Sequence, residues 1–321
     1  MNAREPRQPL IAAGEIEHHV GDLTATISAQ LPLAQVQEKL RQSNQWLPID
    51  GDPQSPVGQL VERNSTGPLR LGYGAWRDLL LGVQFTNGRG ELITAGGRTV
   101  KNVAGYDLTK FMVGQYGIFG RIVTVTVRTY RRPEGALVAE FPYNEQTIAK
   151  LLPTPARPHW AMMHQGRLHC GYLGDRKAMD FYMRIVPQQG GAHLQRHFVE
   201  QDIEFRSQRW LTKRPATVFR ASVPPARVRD MLAKAPDRSA SADGAFGVVV
   251  GSCSSESEMT QLEQSTVALG GSIVFDDVKR LSALFEGTSP SAKLLQRLKY
   301  AFDPDGRLAP MPTLAPANSA Q

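Results

Sequence analysis

The chain has 321 residues, 37 lysines and arginines against 30 acidic residues, a formal charge of +7 and 41% apolar content. That length supports a substantial core in one or two domains, with the composition of a globular protein. No apolar run approaches the roughly 20 residues that cross a bilayer, and MNAREPRQPLIAAGEIEHHV has no signal-like apolar stretch, so a cytoplasmic location is expected. The arginines are scattered apart from Arg128, Arg131 and Arg132, and no nucleic-acid motif accompanies them. A solvated surface explains the charge first, and an acidic partner subunit or an anionic membrane second. Cys170 and Cys253 lack CxxC spacing and sit in strand-like runs, which predicts buried, inert thiols. The seven histidines show no metal-ligand spacing, so no metal site is expected.

In chain order, DLTATISA at 22–29 alternates as a half-buried strand, and Pro32 opens a helix with Leu33, Val36 and Leu40 on one face. Trp46–Ile49 is a short extended piece, Val57–Val61 a short helix, and 64–74 a loop. Asp78–Phe85 is expected as an apolar strand that turns through Asn87-Gly88 into Leu92–Thr94, a hairpin signal. Asp107–Gly114 carries Leu108, Phe111 and Met112 on one helical face, with Asp107 complementing the dipole at its start. Ile118–Tyr130 is a long strand.

Pro133-Glu134-Gly135 marks a composition break. Beyond it comes strand ALVAEF, helix NEQTIAKLL, strands HWAMMHQ and RLHCGYLG, and helix RKAMDFYMRIV. After a polar, arginine-rich stretch a second round follows: TVFRASV, PPARVRDMLAKA, AFGVVVGSC, SEMTQLEQSTVALGG and SIVFDDV. This order predicts an α+β cap with an antiparallel sheet. Residues 238–244 and 309–321 are low-complexity pieces.

The densest chemical signal is GGRTVKNVAGYDLTKFMVGQYGIFGRIVTVTV at 96–127, with glycines at 96, 97, 105, 114, 117 and 120. Glycine spacing alone fits either a cofactor site or crowded turns. This segment resembles the second flavin-contacting segment of the FAD-binding oxidases of vanillyl-alcohol oxidase (PCMH) type. It is most similar to the FAD-binding subunit of glycolate oxidases, and Lys101–Leu108 (KNVAGYDL) is its most specific part. The resemblance covers about 20–130 and, weakly, the C-terminus.

The resemblance implies a fold and a site. The fold is a partial PCMH-type FAD-binding domain at 1–133, a ferredoxin-like antiparallel cap at 134–280, and a C-terminal helix and tail at 281–321 that return to the first domain. FAD would lie against Gly58, Thr66, Gly67, Tyr73, Gly74, Gly105, Tyr106, Asp107, Gly114, Gly117 and Gly120, with Ile122 and Val123 at the adenine end. Amides of the 114–120 turn would face the cofactor. The implied activity is oxidation of glycolate or a similar 2-hydroxy acid to the 2-oxo acid. The implied partners are a larger flavin subunit and an iron–sulfur subunit, which would hold the chain at the inner face of the membrane. Lys101 and Arg77 are candidate carboxylate partners, against the plainer reading of surface cations, and no catalytic base is assigned.

Three departures stand out. The family's glycine-rich pyrophosphate loop is missing ahead of the first strand. Gly58 is followed by Gln59 where a second glycine is usual, and Ala29 by Gln30 where Ala-Gly is usual. In DPDGRLAPM (303–311), Ala309 replaces the family's asparagine. A late start site explains only the first. The alternative reading is a degenerate structural subunit of the same complex that holds no flavin.

Overall fold

The computed structural model describes residues 8–97, 107–143, 146–210, 217–236, 240–276 and 290–310. The motif residues 98–106, including Lys101, Gly105 and Tyr106, lie outside them. The chain divides into two compact units. The first comprises 1–66, 73–132 and 285–313, and the second 67–72, 133–284 and 314–321.

The first unit opens with β1 (Ile16–His19) and β2 (Thr24–Ser28), then α1 (Leu33–Arg41), β3 (Gln45–Trp46) and α2 (Val57–Glu62). Leu33, Val36 and Leu40 of α1 are buried, as their spacing requires. The 64–74 region, read as loop, contains a helical turn, α3 (Arg70–Tyr73). A second turn, α4 (Trp76–Leu79), takes the start of the expected strand, because Asp78 accepts the Ala75 N–H at 2.8 Å and caps it. The strand β4 therefore runs Leu80–Thr86 and pairs with β5 (Leu92–Gly96). The turn, expected over Thr86–Gly90, occupies 87–91: Asn87 Oδ1 accepts the N–H groups of Arg89 and Glu91, both at 3.0 Å.

The helix expected over 107–114 is only one turn, α5 (Leu108–Phe111), and is followed by β6 (Arg121–Arg128) and β7 (Tyr130–Arg131). The large sheet has the antiparallel order β1-β2-β6-β4-β5. One face of it packs Ala25, Ile27, Val125 and Val127 against α1, α2 and Trp76.

The second unit contains β8 (Gly135–Phe141), α6 (Thr147–Leu151), β9 (Trp160–His164), β10 (Arg167–Gly174), α7 (Arg176–Ile185) and β11 (Ala192–Phe198). After α8 (Val199–Trp210) come β12 (Thr217–Ser222), α9 (Val228–Lys234), β13 (Ser241–Asp243), β14 (Val248–Cys253), α10 (Glu256–Ala268) and β15 (Ser272–Phe275). The sheet order is β11-β8-β10-β9-β13-β14-β12-β15. Each half is a βαββαβ ferredoxin-like unit whose first strand lies between its third and fourth. The halves join where β9 pairs with β13, His164 opposite Ser241. Two strands of this unit were not foreseen. β11 and α8 fill the arginine-rich stretch, and β13 lies in the low-complexity piece at 238–244, where Ser241, Ala242 and Asp243 are buried. The apolar core includes Cys170 and Cys253, both free and buried, and burial pushes the Cys170 thiol far up.

The last described helix, α11 (Pro290–Phe302), belongs to the first unit. Phe302 meets Phe85, Phe111 and Phe119 at ring-centroid distances of 6.1, 5.9 and 6.3 Å.

Candidate functional site

In the first unit the six-residue helix α2 is the hub of the site. At its start the Gly58 N–H donates to Ala29 O at 2.9 Å, and the Ala29 N–H donates in turn to Val123 O at 2.9 Å. At its end the carbonyls of Val61 and Glu62 accept the N–H groups of Gly114 (3.0 Å) and Tyr116 (2.9 Å). The Glu62 carboxylate also accepts the Ile122 N–H at 3.2 Å. Burial pushes the Glu62 carboxyl up, and the Ile122 hydrogen bond works against that rise. One short helix thus gathers Gly58, Gly114, Ile122 and Val123.

The glycines here do different jobs. A Cβ at Gly58 would sit 2.7 Å from Ala29 Cβ, and one at Gly120 would sit 2.5 Å from Phe85 Cδ2, so both are glycine for close packing within the protein. Gly74 contacts the Asp78 cap in the same way. Gly117 differs. Its φ is +77°, and a Cβ there would meet only Ala309 Cβ, at 3.7 Å. The corner at Gly117 therefore has room beside it, and the small Ala309 side chain preserves that room.

The amides of the 114–120 turn do not form the expected row facing a cofactor. Those of Gly114 and Tyr116 go to α2, Ile118 donates to Gln115 O at 2.9 Å, and Phe119 donates to Gln115 Oε1 at 2.9 Å. Gln115, buried, also donates to Gly120 O at 2.9 Å. These four N–H groups are therefore not pyrophosphate donors.

The C-terminal return fixes the Gly117 corner. The Ala309 N–H donates to Gly117 O at 3.3 Å, while Lys299 Nζ donates to Ala309 O (2.8 Å), to Ile118 O (3.0 Å) and to the Asp303 carboxylate. Asp303 also accepts the N–H groups of Arg307 and Leu308 at 2.7 and 3.0 Å. Burial raises its carboxyl, but the Lys299 bond and these amides outweigh that and hold it below the usual range.

The remaining predicted residues lie apart. Asp107 caps α5 by accepting the Lys110 N–H at 3.1 Å and is exposed. Tyr73 packs edge-on to Trp46 and Tyr130, with centroids at 5.5 and 5.2 Å. Thr66 is buried, and Gly67 falls in the second unit, where its carbonyl accepts the Arg70 N–H at 3.1 Å. Arg77 is exposed and reaches Lys110 O at 3.4 Å.

Sequence reasoning missed two polar clusters. The second face of the first sheet is a buried hydroxyl surface: Thr24, Thr26, Ser28, Thr124 and Thr126, with Gln84 among them. Thr26 and Thr126 hydrogen-bond at 3.0 Å, and Gln84 Oε1 accepts from Thr124 and from the Leu10 N–H. The alternation in β2 and β6 does show this face, but it reads as solvent-exposed. In the second unit, Asp202 and Arg206 are fully buried on α8. Asp202 accepts from Trp160 Nε1 at 2.9 Å and from Arg206 Nε at 3.2 Å. Burial pushes both ions toward neutrality, and their contact opposes that. Beside them, burial lowers His169 to about 4. Among the described residues no cluster of metal-ligating side chains occurs.

Residues 13–96, which run from β1 to β5 through α2, match the family of FAD binding domains. The match covers about a quarter of the chain and supports FAD as the cofactor of this segment. The chain is 32% identical over 127 residues to the glycolate oxidase subunit GlcE of Escherichia coli, covering 39% of this chain and 36% of that protein. It is 31% identical over 115 residues to the glycolate oxidase subunit GlcD of Bacillus subtilis (35% and 24%). It is 27% identical over 121 residues to the mitochondrial D-lactate dehydrogenase [cytochrome] of Arabidopsis thaliana (38% and 21%). The matched parts therefore span about a fifth to a third of these relatives. Among solved structures, an alkyldihydroxyacetonephosphate synthase superposes with a TM-score of 0.60 at 15% identity, covering 88% of this chain and 64% of that one. This shows a shared fold, the PCMH type. The expected fold class therefore holds, with the cap doubled.

At the Gly117 corner the room that a Cβ would take up, beside the small Ala309, is compatible with FAD approaching the backbone. The residues that would hold it in the first unit are Gly117, Ala309 and the half-buried Ile122 and Val123 of β6.

Proposed function

We propose that this chain is the FAD-binding subunit of a glycolate oxidase-like complex that oxidises glycolate or a similar 2-hydroxy acid to the 2-oxo acid. The observation that carries the reading is the α2 hub, which ties Gly58, inside the matched span 13–96, to Gly114, Ile122 and Val123 beyond it. FAD held here would supply the hydride acceptor that oxidation of a 2-hydroxy acid needs. The chain's share is to position and shield. The Lys299–Asp303 pair holds the corner at Gly117, and the β6 side chains Ile122 and Val123 supply an apolar wall. The partners that fit are a larger flavin subunit and an iron–sulfur subunit. No helix among the described residues is long and apolar enough to cross a membrane, so attachment at its inner face would come through those subunits.

A second reading, a structural subunit of the same complex without flavin, draws support from the amides of Gly114, Tyr116, Ile118 and Phe119, which are all spent inside the protein. The two separate on co-purification with candidate partner subunits followed by anaerobic addition of glycolate. Flavin stoichiometry that falls when this chain carries Gly117→Val, together with slower substrate bleaching, supports the first reading. Unchanged stoichiometry and bleaching with that variant support the second.

A further inference from the structure

Strand β1 is a rim of the first sheet: among the described residues it pairs with β2 alone, Ile16 opposite Ile27 and His19 opposite Thr24. The Ser28 N–H donates to Glu15 O at 3.0 Å. Antiparallel ladders alternate, so the main-chain groups of residues 15, 17 and 19 turn inward to β2, while those of Ile16 and His18 turn outward. Glu17 and His19 share one face, with His19 Nε2 3.2 Å from Glu17 Oε1. Ile16 and His18 share the other, where Ile16 packs on the core and His18 bonds Gln45 Oε1 at 2.9 Å. Around this rim three large apolar side chains are exposed: Leu10 (55%), Val20 (45%) and Leu23 (40%). Rims usually carry charge or are covered, because open main-chain groups invite another strand.

We propose that β1 pairs antiparallel with β1 of a second copy of this chain, about a twofold axis through His18. An axis perpendicular to the sheet keeps each face on its own side, so only residues of like parity can lie opposite. Charge then selects the register. Centring on Ile16 sets Glu17 opposite the partner's Glu15, and centring on Glu17 sets that carboxylate opposite its own copy. Centring on His19 sets two imidazoles together. Centring on His18 places Glu17 opposite the partner's His19 twice over, and the ladder ends there because Val20 opens a 3-10 turn, Val20–Asp22. The outward N–H and C=O of His18 then exchange hydrogen bonds with their symmetry copies on the axis. A carboxylate opposite an imidazole N–H donor favours association, and carboxylate opposite carboxylate opposes it. The run Glu17-His18-His19 is thus self-complementary about its centre. A rim this short buries less than the roughly 1,200 Å² of a stable complex, so the dimer is a reversible one that forms at micromolar concentration or above. The proposal does not depend on flavin.

The test is sedimentation velocity of the full chain over a concentration series reaching roughly 100 µM, the range in which a weak dimer forms. The expected result is a shift from monomer to dimer. His18→Pro removes the outward N–H, a place where a rim strand tolerates proline, together with the side-chain bond to Gln45, and should abolish the shift while leaving the circular dichroism spectrum unchanged. Glu17→Lys should weaken the dimer roughly tenfold by removing both carboxylate–imidazole pairs, and the exchange Glu17→His with His19→Glu should restore it. Under mild oxidation His18→Cys should cross-link to its copy and Glu17→Cys should not, with both native cysteines buried and silent. A chain that stays monomeric throughout overturns the proposal. So does a dimer indifferent to charge reversal, or one that cross-links through position 17 instead of 18. Should His18→Pro fail to fold, the charge exchange and the cross-links decide.

Discussion

Replacing Lys299 by methionine should loosen the Gly117 corner without opening a cavity, because methionine refills most of the lysine stem. The change removes donors from Ile118 O and Ala309 O and leaves Asp303, 4% exposed, without its cation. Breaking a buried ion pair from one side costs about 3–5 kcal/mol. The Arg307 and Leu308 amides still bond the carboxylate, so the lower end, about 3 kcal/mol, is expected. For a unit of this size that lowers the melting temperature by roughly 6–12 °C. Hydrogen exchange gives the local readout. The Gly88 and Ala309 amides, which bond Phe302 O and Gly117 O, should exchange faster, while amides of β10 in the second unit serve as controls. The pH dependence has a definite sign. Asp303 titrates below its unfolded value, so its contribution is present above about pH 4 and is lost as the pH falls through the depressed folded value. The gap between wild type and Lys299→Met should therefore narrow in acid. Equal melting temperatures and equal exchange at Gly88 and Ala309 would refute the reasoning.

Gly58→Ala and Gly120→Ala should each destabilise by about 1–3 kcal/mol, since the new methyl meets Ala29 Cβ or Phe85 at well under contact distance; urea midpoints check this. Gly117→Val forces a β-branched residue to φ +77° and fills the open corner, so flavin retention should vanish while most secondary structure remains, as read by visible absorbance beside circular dichroism. Arg206→Met should cost about 3–5 kcal/mol by stranding Asp202, whereas Arg206→Met combined with Asp202→Leu should cost less than the single change. A strictly additive double mutant would show that the pair is not coupled.

Much of the strand and helix pattern was legible in the sequence because alternating and helical periodicities coincide with burial. Leu33, Val36 and Leu40 all face the core, and RLHCGYLG is β10 residue for residue. Misreadings came where a side chain competes with the backbone. The Asp78 cap turns the start of an apolar run into a helical turn, and Ser241–Asp243 reads as low complexity because the strand is only three residues long. The site was legible as a list of residues but not as an arrangement. Glycine at 58, 114, 117 and 120 looks alike in sequence, yet three of these serve contacts with Ala29, Asn64 and Phe85, and only Gly117 faces room. The Lys299–Asp303 clamp and the Asp202–Arg206 pair are i, i+4 pairs, a spacing more often found on solvated helix faces, and nothing local marks them as buried.

The central claim is that the first unit holds FAD. Titrating FAD into the purified chain and following its fluorescence and 450 nm band (roughly the flavin's own absorption) tests this most directly. The account predicts saturable binding with a perturbed flavin spectrum, lost in Gly117→Val. A chain that leaves the spectrum of free FAD unaltered at every concentration, alone and with candidate partner subunits, would contradict it.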